Sequence, residues 1–390
     1  MKILALIAEF TSSFGDGIHE REIIRRLCYT DNVTVVTLFR GNSDVDRFGF
    51  RLYFFPFLRP AIFFDIFWGF FVGIVLVMLS LIKGKIFDAI YVRDISFAVG
   101  LNILKKFHKI PTVLKTVMFY SDEYFLKRKG ILYTLLSKIV CLVERTAVLN
   151  SDKIIVPSFL FKAELTKRYA VDPDAVSVLS VGVDTKAFSP DKVIVNESGN
   201  YNIGYIGSLR GGNDVETLLQ SISLLQGKIP KIHLILATND DPRVLEKMMQ
   251  EYGIGSIVSI KSIPHKEVPT LLSIVDVVVI PRRSITCTEL VMPLKLLEAG
   301  AAKKPVVISE TKVISATLRD GENVLLCDAE DAEDLAAKLV LLYNDTGYRA
   351  KLANGLYTSC KSYDWQIIIK KLRAELCSLA FTRHKVCRKA

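Results

Sequence analysis

A chain of 390 residues, half of them hydrophobic and 24% charged, is longer than one core can usefully fill; this excludes a disordered protein and favours two domains. The formal charge of +10 favours an acidic partner: a nucleotide, an anionic membrane or nucleic acid. No basic stretch interleaved with aromatics is present, so nucleic acid is set aside. Seven cysteines, odd in number and without CxxC or zinc spacing, exclude a disulfide framework and predict mostly buried thiols in a reducing compartment.

Residues 1–8 are apolar but short and run into Glu9 without a small-residue cleavage site, which predicts a first buried strand rather than a signal peptide. Phe14-Gly15-Asp16-Gly17-Ile18-His19 then occupies a strand-to-helix turn. Gly17 would let an acceptor approach the backbone there, and His19 is either a cleft residue or a structural one. Short β-branched runs at 3–8, 33–38, 89–92, 112–114 and 153–157 alternate with helical patterns such as 20–27, the signature of βαβ units.

From 61 to 82 the only charge is Asp65, and Phe63, Phe64, Phe67, Trp68, Phe70 and Phe71 crowd the first half. A transmembrane span is long enough but would split one domain across a bilayer. A buried core helix explains neither the aromatic excess nor the missing polar face. A helix lying in the headgroup region, with Arg51, Arg59, Lys83 and Lys85 as anchors, accounts for both and is the expectation. Lys105, Lys106 and Lys109, and Lys127, Arg128 and Lys129, would add attraction to anionic lipid or form ordinary solvated faces.

The polar stretch 189–200 predicts a linker, and a second alternating series follows at 201–207, 232–237, 257–260, 275–280 and 305–308. The fold class expected is α/β, with two Rossmann-like doubly wound domains facing a central cleft. Their predicted bounds are 1–188 and 200–360, with a helix and basic tail at 361–390, the helix packing back on the first domain.

Gly207-Ser208-Leu209-Arg210-Gly211-Gly212-Asn213-Asp214 follows the first strand of the second domain. Gly207 and Gly212 would admit a ligand to the backbone, Asn213 with Glu216 would begin a helix in capping-box fashion, and Arg210 would offer a diphosphate two hydrogen bonds. A plain glycine turn is the alternative, since this is neither a P-loop nor a full dinucleotide fingerprint. Lys295 and Glu298, three apart on one helix face, lie between two predicted strands, where open α/β sheets bind ligands. Arg282 and Arg283 directly follow a strand end, and one of them is expected to contact an anion.

Taken in order, these residues resemble the GT-B glycosyltransferases, specifically the large family four (glycosyl transferases group 1) of retaining, nucleotide-sugar-dependent enzymes. Val181-Gly182-Val183-Asp184, with Phe188 and Pro190 after it, resembles the family's interdomain segment; Pro293 to Glu298 resembles its donor-site helix, and Gly321-Glu322-Asn323-Val324-Leu325-Leu326 a further element. The resemblance implies donor binding by Gly207, Arg210, Gly212, Arg282, His265, Lys295 and Glu298. Glu298 would accept from the ribose hydroxyls, His265 would stand near the base, and Lys295 and Arg210 would stabilise the diphosphate. Glu289, His19 and Lys295 are the implied catalytic residues, and Gly17, Asp122 and Glu123 lie on the acceptor side. No metal and no resident cofactor are implied, the nucleotide-diphosphate sugar being a co-substrate.

The chain departs from the family pattern at four places. The first of the paired glutamates would fall at Leu290, one position after Glu289. The phosphate-loop Arg and Lys would fall near Ser208 and Asn213, leaving Arg210 as substitute. After 112–114 the chain reads Lys115-Thr116-Val117 where a catalytic histidine is expected, and Val181 replaces an asparagine. The resulting expectation is a cytoplasmic glycosyltransferase, peripheral at an anionic membrane face, that moves a sugar from a UDP- or GDP-sugar to a lipid-linked or cell-surface glycan. A catalytically silent GT-B scaffold and, more weakly, a nucleotide-sugar epimerase are the rival readings.

Overall fold

The computed structural model describes residues 1–7, 15–38, 51–55, 61–83, 86–123, 131–190, 199–209 and 211–387. Arg210, most of the expected linker, the side chains of Glu123, Arg51 and Lys83, and residues Arg59, Lys85, Lys127, Arg128 and Lys129 therefore lie outside the described part. Two compact units are present, Met1–Ser180 with Ile368–Ala390, and Val181–Ile367.

The first unit is built on seven parallel strands: β1 (Lys2–Leu6), β2 (Asn32–Leu38), β3 (Arg51–Phe55), β4 (Ala89–Val92), β5 (Thr112–Lys115), β6 (Lys153–Val156) and β7 (Val176–Val178), ordered β3-β2-β1-β4-β5-β6-β7. The chain runs outward from β1 to β3, then returns to lay β4 on the other side of β1, with Leu4 opposite both Thr34 and Ile90. The second unit repeats the plan with β8 (Tyr201–Ile206), β9 (Ile232–Ala237), β10 (Val258–Lys261), β11 (Val277–Ile280), β12 (Val306–Ser309) and β13 (Leu325–Cys327), ordered β10-β9-β8-β11-β12-β13. Both are doubly wound. Strands covered by helices on both faces read as unbroken apolar runs, and β4, β11 and β12 are buried at every position. Each sheet reverses its winding once, beside β1 and beside β8. The crevice at the strands' carboxyl ends there is where such sheets bind ligands.

Several local expectations change. β3, β7 and β13 are short or lie at or near sheet edges and leave little alternation to detect. Helix α1 (Gly15–Leu27) begins five residues before the predicted pattern, so Gly17 is a buried helical residue rather than part of an open turn. Gly17 is helical and buried despite glycine's poor helix propensity. The segment after Ser180 packs within the second unit rather than the first: Val183 N donates to Tyr363 O (2.9 Å), Trp365 N donates to Val183 O (3.1 Å), and a Cβ on Gly182 would stand 2.5 Å from the Trp365 ring. The helix Trp365–Cys387 continues into the first unit, where Glu375 accepts from Ser177 Oγ (2.6 Å) and Arg373 pairs with Asp31 (2.9 Å). Six cysteines are free thiols among the described residues, and only Cys327 and Cys360 are buried, because an apolar run does not say which helix face a thiol takes.

The apolar stretch 61–82 forms helix α2 (Ala61–Lys83), packed on α3 (Ile95–Ile103). A Cβ on Gly100 would stand 2.0 Å from Ile66 O and 2.5 Å from Phe70 N, and one on Gly69 would stand 2.4 Å from Phe97 O. The two helices therefore meet backbone to backbone. Gly100→Ala is expected to cost about 3 kcal/mol through this overpacking, read as a lower urea midpoint. Among the described residues no helix is long and apolar enough to cross a membrane. Nor is α2 a buried core helix, because Phe67, Phe71, Val75 and Met78 are exposed.

Candidate functional site

The second unit's switch point is occupied by a glycine loop, a partly buried cation and a buried carboxylate. β8 is followed directly by Gly207, whose φ of +141° is open only to glycine. A Cβ there would stand 3.1 Å from Lys295 Nζ. The loop is stitched to the end of β11: Arg283 N donates to Gly212 O (2.9 Å), Asp214 N donates to Pro281 O (3.1 Å), and Asn213 bridges to Arg282. Gly212 has no room for a side chain either, since a Cβ would lie 2.2 Å from Thr288 Cγ2. Asp240 orders the loop from the neighbouring strand end, accepting from Ser208 Oγ (2.8 Å) and Leu209 N (2.7 Å).

Lys295 sits in the first turn of the helix Leu294–Ala301. Its Nζ donates to Asn213 Oδ1 (2.8 Å) and lies 4.5 Å from the centre of the Tyr205 ring. Burial, and then repulsion from Arg282, lower its pKa from 10.5 to about 7 against the opposing pull of Glu298. Asn213 thus serves Lys295 rather than a capping box. Asp214 is the N-cap of the helix Val215–Leu225, and its carboxylate accepts from Thr217 Oγ1 (2.6 Å).

Glu298 is buried one turn further on, with His265 Nε2 2.6 Å from its Oε1. His265 stands on the short turn His265–Glu267, its ring 5.9 Å from that of Phe188. Arg282 is committed inward: Nη1 donates to Val291 O (2.9 Å), its backbone N donates to Ser309 Oγ (2.9 Å), and burial lowers its pKa to about 10. Arg283 lies 3.7 Å from Asp214. Glu289 accepts from Ser284 Oγ (2.7 Å) and from Lys312 N (2.9 Å), which ties the helix Thr286–Leu290 to the turn after β12. Gly207, Gly212, Lys295, Glu298 and His265 form one constellation. A desolvated ammonium beside close-approach backbone suits a diphosphate, and a buried carboxylate suits a diol.

In the first unit His19 is buried on α1, its Nδ1 3.0 Å from Lys115 Nζ. Lys115 Nζ donates to Glu20 Oε1 (2.7 Å), Tyr91 Oη donates to Glu20 Oε2 (2.7 Å), and Arg93 Nε lies 3.4 Å from Glu20 Oε1. Burial alone would raise the Glu20 carboxyl. Lys115, the His19 hydrogen bond and Arg93 outweigh it and hold Glu20 well below the usual carboxylate range. Asp122 forms a two-point pair with Arg168 (2.8 and 3.1 Å). Sequence reasoning missed Glu20, Tyr91, Arg93, Tyr205 and Asp240, none of which carries a local signal; only Lys115 stood at a flagged position.

Two open parallel sheets, each wound to both sides of its first strand, with this constellation at the second switch point, define an α/β protein of the GT-B class. Residues 190–358, within the second unit, match the family Glycosyl transferases group 1. A curated relative from Thermomonospora curvata, named D-inositol 3-phosphate glycosyltransferase, is 24% identical over 252 residues, covering 59% of this chain and 57% of its own. The chain thus spans little more than half the length of the curated relatives it matches. Solved structures of similar fold include Anabaena HepE in complex with UDP-glucose, with TM-score 0.76 and 16% identity, covering 97% of this chain and 100% of that one. Another is WaaG, a glycosyltransferase involved in lipopolysaccharide biosynthesis, with TM-score 0.72 and 16% identity over 95% and 98% of the two chains.

Proposed function

We propose that the protein is a glycosyltransferase whose second unit holds a nucleoside-diphosphate sugar. The observation that carries this reading is Lys295, a partly buried cation packed against Gly207 and aligned by Asn213, with Glu298 on the same helix. Lys295 and the loop backbone would meet the charge growing on the departing diphosphate, and Glu298, oriented by His265, would grip the ribose. Transfer is proposed to proceed with retention and without a metal, so turnover in the presence of EDTA and the anomeric configuration of the product test both points. A UDP-sugar is the first donor to try, because a neighbour in fold binds UDP-glucose; a GDP-sugar is second.

The first unit is assigned the acceptor. The names of the curated relatives specify D-inositol 3-phosphate, which favours a phosphorylated polyol, whereas the exposed apolar face of α2 favours the lipid-linked or surface glycan expected from the sequence. Product analysis with inositol 3-phosphate and with extracted membrane lipids separates the two. The proposed location is the cytoplasmic face of a membrane.

Nucleoside diphosphates should raise the melting temperature, because a ligand that prefers the native state stabilises it. Glu298→Gln is expected to weaken UDP binding about tenfold to a hundredfold, the effect of losing charged hydrogen bonds, with inorganic pyrophosphate binding unchanged. Equal loss for both ligands would remove Glu298 from the ribose. Binding without transfer or donor hydrolysis would instead favour a silent scaffold.

A further inference from the structure

α2, the helices Ile95–Ile103 and Lys105–His108, and the helix Ile131–Asn150 pack side by side in the first unit. The inner side of α2 is spent on this contact: Gly69, Val72, Gly73 and Leu76 are buried, and Gly69 touches α3 through backbone. That contact fixes the rotation of the helix. Phe67, Phe71, Val75, Met78 and Ile82, spaced as one helical stripe, consequently face outward, with Phe67 56%, Met78 58% and Ile82 77% exposed. Ile103, Phe107, Leu142 and Leu149 are further exposed apolar side chains on the other helices of this layer. Exposed apolar side chains aligned along one helix face mark an interaction surface more often than singly scattered ones do.

Among the described residues of this layer the exposed charges are of one sign. They are Lys106, Lys109, Lys138 and Arg145, and no carboxylate among those described residues is exposed; Glu144 is turned inward, bonded to Ser121. Lys105 is spent on Asp152 (3.0 Å). A symmetric pairing of two copies would set these cations against themselves. An anionic lipid surface instead offers hydrocarbon to the stripe and phosphate to the cations.

We propose that this layer is a docking face for an anionic lipid bilayer, with α2 lying along the surface, its outer stripe among the acyl chains and its glycine side fastened to the protein. The face belongs to the first unit and the donor constellation to the second, and the proposal does not depend on the chemistry proposed there.

The test is co-sedimentation of the full chain with phosphatidylcholine vesicles, with and without phosphatidylglycerol. Binding is expected to the phosphatidylglycerol vesicles and to weaken with salt. Phe71→Glu and Met78→Glu should each lower partition on the order of tenfold or more. Lys106→Glu with Lys109→Glu should weaken binding to anionic vesicles only. UDP-induced thermal stabilisation, unchanged in all of these variants, keeps the donor reading separate and reports that they fold. Failure to bind either vesicle, or stripe variants that partition like the parent, would overturn the proposal. Self-association abolished by Met78→Glu without any vesicle binding would overturn it too and give the face to a second copy.

Discussion

Lys295→Met is expected to abolish sugar transfer, lowering the rate about a thousandfold or more, while raising the melting temperature by a few degrees. The two effects share one cause. The ammonium is packed against one amide oxygen and the face of a tyrosine, and this desolvation lowers its pKa to about 7. A buried charge without a close counter-ion is a cost to folding, and an apolar side chain of similar length removes it. The same desolvation makes the cation effective against a diphosphate, because interactions are stronger where water is excluded. Turnover assays and thermal melts on one preparation suffice. A variant that transfers sugar like the parent would remove Lys295 from the reaction, and one that is less stable would show the charge to be well compensated.

Nucleoside diphosphate binding should also take up a proton above neutral pH. With Lys295 at about 7 in the folded protein against 10.5 ordinarily, the unfolded chain binds a proton that the native one has released. Stability from this group therefore rises with pH between these two values and is flat outside them. A diphosphate placed beside Nζ favours the charged form and raises its pKa again. Above pH 7 the bound state must recapture the proton, and affinity should fall by up to about tenfold per pH unit. Calorimetric titration of UDP in two buffers of different ionisation heat measures the uptake directly. Equal heats in both buffers at pH 8 would mean that the ammonium is already charged or does not meet the ligand.

The sequence was most legible where chemistry is local. Runs such as 277–280 and 306–308 read as buried parallel strands because both faces are covered, and Lys295 and Glu298 could be paired because helix geometry sets residues three apart on one face. Gly207 was legible for the same kind of reason, since a glycine closing a strand announces a backbone that other residues resist. Asn213 was misjudged as a cap. Its true partner lies 82 residues away, and capping rules see only the next turn. α2 was legible as an apolar helix without a polar face, but periodicity could not say which side meets protein when every side is apolar.

The sequence by itself determined the two alternating βαβ series, the family motifs and the cation–carboxylate spacing, all set by neighbours along the chain. Only the tertiary structure decided that Lys295 packs over the Tyr205 ring and is aligned by Asn213, and that Glu20 gathers Lys115, Tyr91 and Arg93 around it. It also decided that the glycine face of α2 turns inward and Phe67 and Phe71 outward. Each of those outcomes joins residues from different elements, and burial, hydrogen bonding and charge depend on distances that only folding sets.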